Sequence, residues 1–298
     1  MEGKSIQVLA NAKINLYLDI LSRRENGYHN ILSIMQTVSL CDTVTLTRLA
    51  KGSGIRVSTS VEGLPCDRRN LAWRAAEKFG ALLGGDPDVS IHIEKRIPMA
   101  AGLGGGSADA AAVLRGLEQL YGTGAGTDKL CEIGATLGAD IPFCVVGGAM
   151  IAEGIGEVLT PCAGLPEDCR LVIACGGEGI STPEAYGALD ARYESFATPR
   201  EGGARFESLC RSLREADVAS VREHMYNIFE EVVLPTHSTA GRLLETVRQS
   251  GATAAMMSGS GPSVFGLFES EAQARAAAKR IEETLGIPAH VARPVART

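Results

Sequence analysis

Four glycines within five positions, Gly102, Gly104, Gly105 and Gly106, run straight into an amphipathic pattern of helical period. The stretch 97–121 reads I-P-M-A-A-G-L-G-G-G-S-A-D-A-A-A-V-L-R-G-L-E-Q-L-Y. Glycines without a Cβ let the backbone approach a ligand closely and take up positive φ. From Ser107 onward, Ala110, Val113, Leu114, Leu117, Leu120 and Tyr121 recur at helical spacing, which predicts a helix with one buried face. Ser107 suits the N-cap, Asp109 the first turn and Gly122 the stop. A helix opening there aims unpaired N–H groups and the positive end of its dipole at the glycines, a construction suited to phosphate. The plain alternative is a glycine-rich turn that holds nothing.

Two common nucleotide motifs are excluded. Ser107 stands where G-x-G-x-x-G needs its third glycine, and Gly106 is followed by serine where a P-loop needs lysine. Gly3-Lys4-Ser5 imitates the end of a P-loop but has no leading glycine before it.

The 298 residues fit one large domain or two moderate ones, and 45% hydrophobic content supplies a sizeable core. Aromatics make up only 5%, so that core must rest on Ala, Val, Ile and Leu. A formal charge of −6 argues against a general partner among nucleic acids or anionic membranes. The eight cysteines (Cys41, Cys66, Cys131, Cys144, Cys162, Cys169, Cys175 and Cys210) are scattered without a C-x-x-C pair. They indicate neither a zinc site nor a disulfide framework, and a reducing cytoplasm is the expected compartment. The N-terminus lacks a signal-peptide apolar run, and the weakly polar run 141–152 is too short to span a bilayer.

Ile14, Leu16, Leu18 and Ile20 alternate with Asn15, Tyr17 and Asp19, which predicts a strand. Lys13, Asn15 and Tyr17 then share one face, away from the aliphatic side. The polar segment 23–29 reads as a turn. Further strands are expected at 38–46, 55–61, 90–97 and 149–155, with helices at 70–83 and 127–137. A composition shift at 160–168, flanked by Pro161 and Pro166, marks a candidate boundary between domains 1–160 and 161–298. Beyond it we expect a strand at 170–175, helices at 206–232, 238–250 and 271–285, a strand-loop-strand unit at 256–268 and a closing strand at 290–295. Strands and helices alternate irregularly, which predicts an α+β fold.

Gly138-Ala139-Asp140-Ile141-Pro142-Phe143 sets one carboxylate between a helix end and an apolar stretch, with Ile141 disfavoured from helix by Pro142. Asp140 could satisfy turn N–H groups. Near the glycine loop and beside Lys13, it could instead accept a hydroxyl proton while the lysine steadies phosphoryl charge. A second glycine-serine loop, residues 256–263, enters the apolar strand 264–268. It could be a plain hairpin turn or a mobile backbone surface over a substrate.

Taken in order, three segments resemble the motifs of the GHMP kinase family. They are A-K-I-N-L around Lys13, P-M-A-A-G-L-G-G-G-S-A-D-A-A, and S-G-S-G-P-S-V-F. Gly27-Tyr28-His29, G-A-D-I-P-F and A-E-G-I-G-E (152–157) are most similar to members acting on a cytidine diphosphate substrate. The likeness runs from about residue 8 to about residue 268.

This resemblance implies the two-domain GHMP kinase architecture, with the active site in the interdomain cleft. It implies ATP-dependent phosphorylation of the 2-hydroxyl of cytidine diphosphate methylerythritol, a step of the non-mevalonate isoprenoid route. Asp140 matches the family's catalytic base and Lys13 its partner. Pro98, Met99, Ala100, Ala101, Gly102, Leu103, Gly104, Gly105, Gly106, Ser107 and Ala108 match its ATP-phosphate loop. Lys95, Asn70 and Leu71 resemble adenine contacts. Asn15, Tyr28, His29, Thr182 and Tyr186 resemble substrate contacts, the two tyrosines sandwiching the pyrimidine and His29 hydrogen-bonding it.

Mg2+ is expected with ATP, because phosphoryl transfer needs the nucleotide's charge neutralised. No carboxylate cluster in the sequence identifies metal ligands. Asp109 stands where many relatives carry Asn, adding charge near the phosphates unless it caps the helix or meets the metal. Pro262 after Gly261 is expected to stiffen the third loop. The rival readings are another small-molecule kinase of this family, or a catalytically silent nucleotide-binding regulator.

Overall fold

The computed structural model describes residues 3–177, 179–193, 196 and 202–297. The chain forms two compact units, and neither is a simple half of the sequence. Residues Met1–Ala12, Cys41–Ile97 and Gly104–Val146 make the first; Lys13–Leu40, Pro98–Leu103 and Gly147–Thr298 make the second. The expected boundary near 160 is not where these units divide, because two long strands carry the chain through both. They are β1 (Ser5–Arg23) and β2 (His29–Arg48).

In the first unit, the end of β2 pairs antiparallel with β4 (Val89–Glu94), from Thr43↔Glu94 to Arg48↔Val89. Strand β3 (Ile55–Thr59) pairs parallel with β4, and α1 (Leu71–Phe79) supplies the crossover. Asn70 caps α1, its Oδ1 accepting from the Ala72 N–H at 2.9 Å. The glycine run feeds α2 (Gly105–Tyr121), followed by α3 (Gly126–Ala135) and α4 (Ile141–Val146).

Helix α2 is buried nearly all round rather than on one face: Ala110, Ala111, Ala112, Val113 and Leu114 are all fully buried. Its small residues allow close approach on several sides. A Cβ at Gly116 would stand 2.5 Å from Leu46 Cδ1 of β2. The helix also starts earlier than expected. Gly104 is its N-cap in the left-handed region, and Gly105 and Gly106 are helical, so Ser107 is not the cap.

Ile141 is helical, against expectation, as the first residue of α4. Pro142 fits as the second residue of α4, because in the first turn its missing N–H costs no intrahelical bond.

In the second unit, the start of β2 pairs with β5 (Ala149–Glu153), which pairs with β6 (Val158–Pro161). Strand β7 (Arg170–Cys175) follows the expected span. After it come α5 (Thr182–Arg192), α6 (Gly202–Arg214), α7 (Val218–His224), β8 (Tyr226–Asn227) and α8 (Glu230–Val233). Next are α9 (Ser238–Gln249), β9 (Ala254–Met257), β10 (Ser263–Phe268), α10 (Glu271–Leu285) and β11 (Ala289–Ala292).

An antiparallel sheet of order β11-β7-β10-β9 carries a core of Val172, Ala174, Val264 and Phe268 packed on Leu243, Leu244 and Val247 of α9 and Ala274, Ala277 and Ile281 of α10. Strand β8 pairs parallel with β1 at Tyr17↔Tyr226 and Leu18↔Asn227. The side chains on both faces of β1 are buried, Tyr17 as fully as Ile14 and Leu16. Among the described residues no helix is long and apolar enough to cross a membrane.

The single helix expected at 206–232 is broken into α6, α7 and α8. The Asp217 N–H returns to Ser212 O at 3.0 Å and Ala216 takes φ of 55°, a Schellman stop with alanine in the position that favours glycine. Asp217 then caps α7 through Oδ1 to the Ser220 N–H. Left-handed alanine costs about 1–2 kcal/mol, partly offset on replacement by glycine's larger unfolded-state entropy. Ala216→Gly is therefore expected to be neutral or stabilising by up to ~1 kcal/mol. Ala216→Val should lower the urea midpoint, because a β-branched residue tolerates positive φ worse.

Candidate active site

The glycine loop is built on backbone strain and close backbone contact. Ala100 has φ of 49°, an uncommon conformation for a residue with a Cβ, and Gly102 and Gly104 follow at 73° and 70°. Within the second unit, a Cβ on Gly102 would stand 2.1 Å from the Ser258 carbonyl oxygen, and one on Gly259 would stand 2.8 Å from Gly102 O. Ser258 Oγ donates to Gly102 O at 3.2 Å, and the Ser263 N–H to Ala101 O at 3.3 Å. The second and third of the three motifs are thus pressed backbone to backbone. The third loop is the β9–β10 turn, with a cis Gly261–Pro262 peptide, and residues 258–263 are buried. It is packed backbone, not a mobile surface.

Past Gly104 the loop becomes the first turn of α2, where the Ala108 N–H bonds Gly104 O at 2.8 Å. Gly105 packs against Ile97, and a Cβ on it would lie 3.5 Å from Lys95 Nζ. Lys95 is not a surface charge. Its side chain is 5% exposed and forms ion pairs with Asp42 and with Asp109, the latter at 2.7 Å. Asp42 Oδ1 also accepts from the N–H groups of Arg96 (2.5 Å) and Ile97 (2.8 Å). Asp109 therefore does not cap α2; its Oδ2 pairs with Lys95. Sequence reasoning missed Asp42, whose one signal is an acid inside the apolar strand pattern 38–46.

Two carboxylates and one ammonium leave this buried cluster with an excess negative charge. Burial, reinforced by Asp42, pushes the Asp109 carboxyl up to about 7 against the pull of Lys95. Its Oδ1 makes no hydrogen bond among the described residues, so the ionised form holds one unsolvated oxygen. Burial works against the charge on Lys95, yet Asp109 and Asp42 outweigh it and raise its pKa.

Lys13 and Asn15 meet in the second unit. Lys13 Nζ donates to Asn15 Oδ1 at 2.7 Å, Asn15 Nδ2 to Ser33 Oγ at 2.8 Å, and Ser33 Oγ to Tyr17 O at 2.6 Å. The Lys13 N–H donates to Leu103 O at 3.0 Å, tying this strand to the glycine loop. Lys13 is 6% exposed and Asn15 3%. Asp140 belongs to the first unit, half-buried just before α4, where its carbonyl accepts the Cys144 N–H.

Tyr28 is 58% exposed, whereas His29 is buried and stacks on Tyr186 with ring centroids 4.8 Å apart and 23° between planes. His29 Nε2 bonds Asp190 Oδ1 at 2.7 Å, and Asp190 also faces Arg23 at 3.5 Å. An acceptor carboxylate makes Nε2 the protonated nitrogen, so His29's hydrogen bonding is already committed on that edge. Nothing in the sequence pointed to Asp190. Thr182 is exposed, and its Oγ1 lies 3.1 Å from Ser260 Oγ of the third loop. Asn70 is engaged on both amide atoms, its Nδ2 donating to Pro65 O at 2.8 Å beside the cap already described.

Residues 70–148 match the model of the GHMP kinases' N-terminal domain, and 209–286 match that of their C-terminal domain. The chain is 44% identical to a 4-diphosphocytidyl-2-C-methyl-D-erythritol kinase from Geobacter metallireducens, over 93% of this chain and 94% of that one. A relative of the same name from Alkaliphilus metalliredigens is 40% identical over 92% and 91%. A crystal structure of 4-(cytidine 5'-diphospho)-2C-methyl-D-erythritol kinase superposes with a TM-score of 0.80 at 33% identity, covering 97% of this chain and 99% of that one.

Between the unfolded carboxyl's pKa of 3.8 and about 7, the folded state holds a proton on Asp109 that the unfolded chain has lost. Stability then falls as pH rises through that window. Asp109→Asn removes the titration, so the variant's stability should gain on wild type from pH ~4 to ~7 and track it above. Urea unfolding at several pH values reads this directly.

Proposed function

The chain belongs to the GHMP kinases, and from that membership we propose that it transfers the γ-phosphoryl group of ATP to the 2-hydroxyl of 4-(cytidine 5'-diphospho)-2-C-methyl-D-erythritol, within the non-mevalonate isoprenoid route. The observation that carries the kinase reading is the positive-φ glycine loop opening α2, whose free N–H groups and helix dipole suit the ATP phosphates.

In this reading Asp140 accepts the hydroxyl proton, and Lys13, oriented by Asn15, steadies charge on the transferring phosphoryl group. Residues 98–108 cradle the phosphates. Leu71 and Asn70, the N-cap of α1, border the adenine, with Lys95 acting there through its fixed stem. Tyr28 covers the pyrimidine from its exposed turn, Tyr186 faces it on its His29 support, and Thr182 approaches from the start of α5, against Ser260 of the third loop. Mg2+ would neutralise phosphate charge when bound. Among the described residues no group of three His, Cys, Asp or Glu side chains is arranged to hold an ion, which fits a metal carried chiefly by the nucleotide's phosphates.

We assign 1–160 and 161–298 as the two family domains, supported by matches at 70–148 and 209–286. ATP and a small-molecule substrate are the partners in this reading and the cytoplasm its compartment, which the unpaired pattern of cysteines supports; the acidic balance supports no role for nucleic acid or anionic membrane.

The test is ADP release by purified protein with Mg-ATP and the cytidylyl substrate, beside mevalonate and homoserine. Turnover with the cytidylyl substrate alone supports the reading, turnover with another alcohol keeps only the kinase, and none at all overturns both. Asp140→Asn should lower turnover by about 10²–10⁴-fold while nucleotide affinity holds.

A further inference from the structure

A cavity of about 610 Å³ lies in the second unit, lined from separate elements by residues that no step of the proposed reaction uses. Its walls are α6 (Arg205), the end of α7 (Arg222, Met225), β8 and α8 (Tyr226, Asn227, Glu230, Glu231), the end of α9 (Arg248), and 252–256 including most of β9. Its volume falls in the range of small-molecule sites.

The charges there do not cancel. Glu231 is taken up by its own partners: Oε1 accepts from Tyr226 Oη at 3.0 Å, and Oε2 accepts from Tyr193 Oη and pairs with Arg192 at 3.4 Å. Glu230 Oε1 accepts the Met257 N–H at 2.7 Å, so this carboxylate fastens the strand edge. Against them stand three guanidinium groups. Arg205 is held rigid, Nε donating to His224 O at 3.2 Å and Nη2 to Met225 O at 2.5 Å, with its guanidinium 5.1 Å above the Tyr226 ring. The side chains of Arg222 and Arg248 make no hydrogen bond or ion pair among the described residues. With Glu231 balanced by Arg192, three guanidiniums face the single carboxylate of Glu230.

Strand β9 adds one free backbone donor. It is the edge of its sheet, with β10 on one side only. The Met257 N–H points away from β10 to Glu230, and the two-residue period turns the Ala255 N–H to the same free edge, where Ala255 lines the cavity. Arginines beside an unpaired strand edge match the oxygens of a phosphate group.

We propose that this cavity is a binding site for a small phosphorylated anion, gripped by Arg205, Arg222 and Arg248 and separate from the phosphate loop. The probes are inorganic diphosphate and glycerol 3-phosphate, titrated calorimetrically into protein saturated with a non-hydrolysable ATP analogue. Saturation with the analogue fills the glycine loop, so binding that persists belongs elsewhere.

The expected result is one further site per chain that Arg222→Ala and Arg248→Ala each weaken by about ten- to a hundredfold, the range for a lost charge-assisted hydrogen bond. Analogue affinity and ADP release should be unchanged in both variants. Either residue is exposed, so folding should survive substitution. The proposal is overturned if the analogue abolishes diphosphate binding, if neither probe binds, or if both variants bind as wild type does. None of these outcomes depends on which alcohol is phosphorylated.

Discussion

A carbonyl oxygen 2.1 Å from where a Cβ of Gly102 would stand permits only hydrogen at that position. This contact between Gly102 and Ser258 locks loop residues 98–103 against the β9–β10 turn, with Gly259 returning the constraint from the other side. The same loop carries the Leu103 carbonyl that accepts the Lys13 N–H. One backbone-on-backbone seam thus fixes the loop, the strand bearing Lys13, and the turn that Thr182 touches through Ser260. Side chains could not do this as well, because a seam of main-chain atoms has no rotamers to lose.

The N-terminal turn of α2 is held by a different kind of force. Asp42 on β2 grips the N–H groups of Arg96 and Ile97 and, with Asp109, encloses the ammonium of Lys95. Three charges out of water cost more than a well-packed apolar cluster of the same volume would. What the cluster gives in return is register: β2, the chain after β4 and α2 meet at one point with fixed donors and acceptors. The aspartate at 109 makes that point negative overall, and burial answers by lifting its pKa toward neutrality.

Much of this could be read from the residues, for identifiable reasons. The alternation at 14–20, the glycine run, and the spans 170–175 and 271–285 are local signals, and the structure follows them. The α+β class and the family followed from the same segments. What was hidden depends on long-range partners. Lys95 reads as a surface charge until Asp42, fifty-three positions away, is brought beside it. Asp190 has no local signal because its meaning comes from His29, 161 positions earlier. The break at Ala216 was missed because a Schellman stop normally advertises itself with glycine. The long strands β1 and β2 were read as shorter pieces, and that same continuity hid how the compact units interleave along the chain.

We propose that one chain holds two nucleotides in unlike ways, ATP by main-chain N–H groups at α2 and a cytidylyl group by the tyrosines beside His29. The direct measurement is calorimetric titration of CDP into protein already saturated with a non-hydrolysable ATP analogue and Mg2+. The expected result is one CDP bound per chain without displacing the analogue, with Tyr186→Ala weakening CDP and sparing the analogue. CDP that competes stoichiometrically with the analogue, or fails to bind while the analogue does, would contradict it.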